Sequence, residues 1–107
     1  MVHKIYELYK LFHDFVKLFP KTEKYSLGGK IENLLLDTLE IILKSVFSQK
    51  EEKISFLKQA DVNVNVLKML IRLSNEIKSI DNKKYLILQE KLQEIGKMIG
   101  GWARYLN

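Results

Sequence analysis

Apolar residues recur at three- and four-residue spacing along almost the whole chain, and a single proline, Pro20, interrupts them. That spacing is the mark of amphipathic helix, and two-residue alternation of the strand type is nearly absent. The chain is thereby constrained to an all-α fold. Ile5, Leu8, Phe12, Phe15 and Phe19 define a first helix from about Val2 to Leu18. Pro20 ends it, because the residue before a proline is pushed out of the helical region. Ser26 is placed to N-cap a second helix that carries Gly28 and Gly29 in its first turn and ends near Ser48. Its stripe is Ile31, Leu34, Leu35, Leu39, Ile42 and Val46. The third helix, about Lys50 to Ser79, is the longest and spans roughly 45 Å. Asp81-Asn82 is a turn signal. A fourth helix, about Lys83 to Tyr105, uses Tyr85, Leu88, Leu92, Ile95, Ile99 and Trp102. Four such helices joined by short turns predict an antiparallel up-down-up-down four-helix bundle. At this length the chain is expected to be one domain, residues 1–107.

No stretch is long and apolar enough to span a bilayer, and the charged start Met1-Val2-His3-Lys4-Ile5 has no leader-like apolar run after it. The absence of cysteine removes disulfides, thiolate metal sites and cysteine nucleophiles, and fits the reducing cytoplasm. The net charge is +5, and it is concentrated at the two ends of the chain. Residues 31–82 are slightly acidic, whereas 1–30 and 83–107 are each basic. If the terminal helices are neighbours, they form one cationic surface suited to phosphate backbones. Anionic membranes or acidic proteins would answer to the same charge.

The third helix carries more apolar surface than one core contact needs. Ala60, Val64, Leu67 and Ile71 make one stripe. Val62, Val66, Met69, Leu73 and Ile80 make another on the opposite side, with Leu70 and Ile77 between them. A monomeric bundle helix needs an apolar arc of only about 100° or somewhat more. The second stripe, in particular Val62, Val66, Met69 and Leu73, therefore reads as a subunit interface. The bland alternative is a central helix covered by its own bundle. The narrow polar arc left over holds Asp61, Asn65, Lys68, Arg72, Asn75, Glu76 and Ser79. Lys68 and Arg72 are one turn apart and form a basic pair facing phosphate or an acidic partner. Local Arg72–Glu76 pairing on a solvated face is the plain alternative.

The run from Glu94 to Trp102 holds three of the five glycines and the only tryptophan. Each helical glycine costs about 1 kcal/mol against alanine. Gly100-Gly101 could end the helix as a glycine cap, or Gly96 and Gly100 could admit a close neighbour. The second reading is adopted as the expectation, with Trp102 largely buried and Lys97 free to meet phosphate.

Catalytic constellations are lacking. His3 and His13 are ten residues apart on one helix, with no ligand partners at repeating spacing, so no metal site is expected. No Glu-x-x-His motif supports a di-iron bundle. Gly28-Gly29-Lys30 fails as a P-loop, since Lys24 and Ile31 occupy required Gly and Ser/Thr positions and no strand precedes it. Lys21, Lys24 and Lys30 could still hold a phosphate near a helix N-terminus. The serines have no histidine base in reach. The sequence thus predicts a non-enzymatic protein without cofactor.

Three segments resemble a known family. They are Phe19-Pro20-Lys21 with Tyr25-Ser26-Leu27-Gly28, then Leu57-Lys58-Gln59-Ala60-Asp61 leading to Leu67-Lys68-Met69-Leu70-Ile71-Arg72-Leu73, then Glu94 to Trp102 ending in Gly-Gly-Trp. In order and spacing, over about residues 15–105, they are similar to the accessory variability determinant (Avd) family of diversity-generating retroelements. That family is related to the four-helix-bundle proteins of 23S ribosomal RNA intervening sequences. The resemblance implies a basic bundle that assembles as a ring, typically a pentamer. It implies binding of the retroelement reverse transcriptase and of RNA or DNA, in support of mutagenic reverse transcription. It also implies binding roles for Lys68 and Arg72, with Lys21 and Lys97 at further basic positions. Lys24, Lys30 and Arg104 complete the expected cationic set. The alternative within the resemblance is an intervening-sequence protein acting as an oligomeric scaffold.

Overall fold

A computed structural model describes residues 1–106; Asn107 lies outside them. The elements are α1 (Val2–Val16), α2 (Lys21–Lys24), α3 (Leu27–Val46), α4 (Lys50–Glu76) and α5 (Asn82–Leu106). The four long helices form the expected all-α bundle, and the described residues contain no strand. Neighbouring pairs are α1 with α3, α3 with α4, α4 with α5, and α5 with α1, so α1 and α4 are diagonal. The bundle measures 43 × 21 × 19 Å.

Each helix buries most of the stripe its periodicity predicts; Val46 is an exception at 42% exposed, because the inward positions in the second half of α3 fall to Thr38, Ile42 and Ser45. Ile5, Leu8 and Phe12 of α1 meet Ile31, Leu35 and Ile42 of α3, with Leu57, Val64, Leu67 and Ile71 of α4 and Leu88, Leu92, Ile95 and Ile99 of α5. The buried hydroxyls of Thr38, Ser45 and Ser74 donate to carbonyls one turn back, Leu34 O at 2.7 Å, Ile42 O at 2.6 Å and Leu70 O at 2.9 Å. They therefore enter the core with their polar groups satisfied.

The ends differ from the sequence expectations in several places. α1 stops at Val16, two residues early, because a tightened turn follows, with Phe19 N–H donating to Val16 O at 3.0 Å. Phe19 folds back edge-on to Phe12, ring centres 5.8 Å apart. Pro20 then starts α2, a single turn whose Lys24 N–H donates to Pro20 O at 2.9 Å. Ser26 does not cap α3 through its side chain: its hydroxyl donates to Thr22 O at 3.1 Å, closing α2 instead. Gly28 is where α3 passes the end of α1 closely, since a Cβ there would lie 2.5 Å from Val16 Cγ2.

α4 ends at Glu76, before Ser79, and Lys78 takes a left-handed conformation (φ 66°). Ser79 N–H then donates to Ser74 O at 2.8 Å, a Schellman-type closure. This turn carries Ile80 into the core, 5% exposed, and removes it from the outer stripe of the third helix where periodicity placed it. Asp81 caps α5, its Oδ1 accepting the Lys84 N–H at 2.8 Å. α5 runs unbroken through Gly96, Gly100 and Gly101 to Leu106, so no glycine ends it.

Candidate functional site

The register of α4 against α5 decides which cations meet. The two helices are antiparallel, and the Gln89 side-chain amide donates to Lys68 O at 3.0 Å across them. Lys68 therefore faces the middle of α5, and residues earlier in α4 face later turns of α5. A groove of about 290 Å³ runs between them, lined on α4 by Asp61, Val64 and Lys68 and on α5 by Gly96, Lys97 and Arg104, with Gln93 and Gly100 in its floor. Three of the basic residues expected from sequence, Lys68, Lys97 and Arg104, thus converge on one feature.

Gly96 and Gly100 lie beside the cations. A Cβ at Gly96 would sit 3.7 Å from Lys68 Nζ and 3.6 Å from Val64 Cγ1, and one at Gly100 would sit 3.6 Å from Arg104 Nη1. These are ordinary contact distances. The helix backbones do not approach closely at either position, so the close-packing expectation for Gly96 and Gly100 is not met. Gly101 faces open space. Trp102 is 42% exposed and not largely buried, because α1 is too short to cover that level of α5.

Ion pairing divides the cations: Lys4, Lys10, Lys17, Lys44, Arg72 and Lys84 have carboxylate partners, and the other lysines and Arg104 have none among the described residues. Among the described residues, Lys68, Lys97 and Arg104 form no ion pair, although Asp61 shares their groove. Arg72, one turn beyond Lys68, pairs with Glu76 at 3.3 Å, as the plain alternative held. The terminal helices are neighbours, but much of the charge of α1 is internally paired: Lys4 with Glu94 at 2.8 Å, Lys10 with Glu7 at 3.8 Å, and Lys17 with Asp14 at 3.5 Å. The Lys4 hydrogen bond, with its charge, holds the Glu94 carboxyl below its usual range. These cations of α1 thus have carboxylates beside them, while both terminal segments keep a net positive charge.

Lys21, Lys24 and Lys30 lie on α2 and the first turn of α3. They sit at the opposite end of the bundle from Arg104. Lys84, at the start of α5, lies over Phe15 near the end of α1, whereas Lys4 at the start of α1 meets Glu94. Lys24 Nζ rests 5.7 Å from the Tyr25 ring centre. Lys21, Lys24 and Lys30 thus stand apart from Lys68, Lys97 and Arg104.

The outer stripe of α4 is open. Val62 is 60% exposed and Met69 64%, with Val66 and Leu73 also at the surface and Ile77 continuing the row. Leu36 and Leu43 of α3 are exposed as well, with Phe47 just after it. Phe47 was not singled out by its periodicity, since it follows the last helical residue. Among the described residues, no group of three or more His, Cys, Asp or Glu is placed to hold a metal, and no helix is long and apolar enough to cross a membrane.

Fold and groove together define a small helical bundle with three cations, Lys68, Lys97 and Arg104, gathered on one groove between α4 and α5. A family model described as bAvd-like matches residues 1–106. The chain belongs to this family, in agreement with the resemblance of its three segments, and is an Avd-type accessory protein. No curated protein and no solved structure gives a significant match.

Proposed function

We propose that this protein serves a diversity-generating retroelement as a non-catalytic, cytoplasmic accessory subunit. It binds the reverse transcriptase and template RNA or its complementary DNA, and so supports mutagenic reverse transcription. The observation that carries this reading is the convergence of Lys68, Lys97 and Arg104 on one groove without carboxylate partners among the described residues. Unpaired cations along a groove are suited to phosphates, which they neutralise with release of counterions. Arg72 extends the same face of α4. Its exposed pair with Glu76 is worth only about 0.3–0.5 kcal/mol, so a phosphate can replace that partner. Lys21, Lys24 and Lys30 offer a second contact region at the far end.

The subunit acts as a ring, with five copies as the expected number, joined through Val62, Val66, Met69 and Leu73. Exposed apolar side chains at 4-3-4 spacing along one helix suit a packing seam between helices. A ring repeats the groove around its circumference, and repetition raises avidity without new contacts. The test is co-purification of the reverse transcriptase and template RNA with the wild-type protein and with a Lys68→Ala/Lys97→Ala/Arg104→Ala variant. A Lys10→Ala/Lys17→Ala variant, which removes paired cations, is the control. Loss of one or both partners from the triple variant alone is expected. Equal recovery of both partners by all three proteins would overturn the assignment.

A further inference from the structure

We propose that the end of the bundle beside the groove is a stacking platform for unpaired nucleobases, built by Trp102 and Tyr105 with Lys53. The proposal rests on the nucleic-acid reading of the groove and specifies it: the bound strand is single-stranded where it leaves Arg104. The platform exists because α1 is short. α1 has 15 residues against 27 in α4 and 25 in α5. The Lys4–Glu94 pair fixes the first turn of α1 opposite the middle of α5. α5 then runs on to Leu106, about 18 Å further along its axis, and almost none of α1 is left to cover it. The vacated corner is a slot of about 480 Å³ lined by Lys53, Trp102, Tyr105 and Leu106.

The chemistry of this slot fits a base next to a phosphate. Tyr105 is 89% exposed and Trp102 42%, so two aromatic side chains meet solvent at one helix end. Among the described residues, Lys53 forms no ion pair and no carboxylate side chain lines the slot. Aromatic rings beside cations are how single strands are held without sequence preference. Arg104 connects the two features: it lines the groove, and it stands between Trp102 and Tyr105 in the chain. A phosphate held by Arg104 leaves its base one helix face from Tyr105. A protein partner fits less well, since a stable interface needs on the order of 800 Å² per side and the slot takes in little more than one turn of α5 with Lys53 of α4.

Trp102 is the only tryptophan, so its fluorescence reports the slot directly. The full chain is titrated with labelled oligo(dT), oligo(U) and a blunt DNA duplex. Label anisotropy reads binding, and tryptophan emission reads stacking. Single strands are expected to quench Trp102, and the duplex to bind without quenching. Tyr105→Ala should weaken single-strand binding about tenfold with unchanged helicity, and Tyr105→Phe should restore it. Single strands that bind with emission unchanged, and equally well to Tyr105→Ala, would overturn the platform while leaving the groove reading intact. Emission altered by the reverse transcriptase but not by single strands would make the slot a protein contact and also overturn it. No binding of any oligonucleotide would remove the nucleic-acid reading itself, and the platform with it.

Discussion

Lys68 of α4 lies over Gly96 of α5: a methyl placed on Gly96 would meet the Lys68 ammonium at 3.7 Å, in ordinary contact and without clash. The glycine therefore neither ends the helix nor admits another backbone. A methyl would fit beside the cation there, as it would at Gly100 beside Arg104.

Because Gly101 faces open space, Gly101→Ala should stabilise the protein by about 1 kcal/mol through helix propensity alone. Gly96→Ala should stabilise it by a similar amount, its new methyl resting on Val64 and Lys68. Both are read by urea unfolding. Destabilisation by Gly96→Ala would mean that the two helices are closer at this level than described.

The adjacent pair Gly28 and Gly29 should respond in opposite directions. A Cβ at Gly28 meets Val16 Cγ2 at 2.5 Å and the Glu23 carbonyl oxygen at 3.4 Å, whereas Gly29 has nothing within 4 Å. Gly28→Ala should cost about 1–3 kcal/mol by overpacking. Gly29→Ala should be neutral or stabilising by up to about 1 kcal/mol. Thermal unfolding of the two variants side by side checks the contrast.

Acid sensitivity follows from two carboxylates. The backbone N–H of Lys84, then its ammonium, hold Asp81 below its ordinary value of 3.8, and Lys4 holds Glu94 below 4.5. Lowered folded-state values mean that the unfolded chain binds protons more readily. The stabilisation is thus present above the ordinary values and is lost as pH falls through the lowered ones. An Asp81→Asn/Glu94→Gln variant should show a shallower fall of Tm between about pH 5 and pH 2. An equally steep fall would show that neither group matters.

The open stripe of α4 predicts assembly. Met69→Glu places a charge in the middle of the proposed seam without touching the core, since Met69 is 64% exposed. Light scattering should give a multiple of 12.6 kDa for the wild type and a smaller species for the variant, with unchanged helical signal. A wild-type monomer at micromolar concentration would contradict the seam.

The four long helices were legible because apolar spacing alone places Ile5, Leu35, Leu67 and Leu92 on inward faces. α2 was not, because Lys21–Lys24 has no apolar residue to set a period. The cations were each nameable from sequence, but their grouping was not: only the α4–α5 register brings Lys68, Lys97 and Arg104 together and leaves Lys21, Lys24 and Lys30 apart. Trp102 was misjudged because a helical wheel assumes a neighbour along the whole helix, and the short α1 does not supply one. Ser26 stands at the N-cap position of α3 as its sequence context suggests, but its oxygen accepts no N–H of the first turn and its hydroxyl donates back to Thr22 O in α2.

The most direct test of the groove is the salt dependence of single-stranded RNA binding. Each cation removed from a phosphate contact should lower the slope of log affinity against log salt by about 0.7. For Lys68→Ala/Lys97→Ala/Arg104→Ala the slope should therefore fall by about 2 relative to wild type. Lys10→Ala/Lys17→Ala, whose cations are already paired on α1, should leave it near the wild-type value. The same slope in the triple variant and the wild type would contradict the assignment of the α4–α5 groove as the phosphate-binding surface.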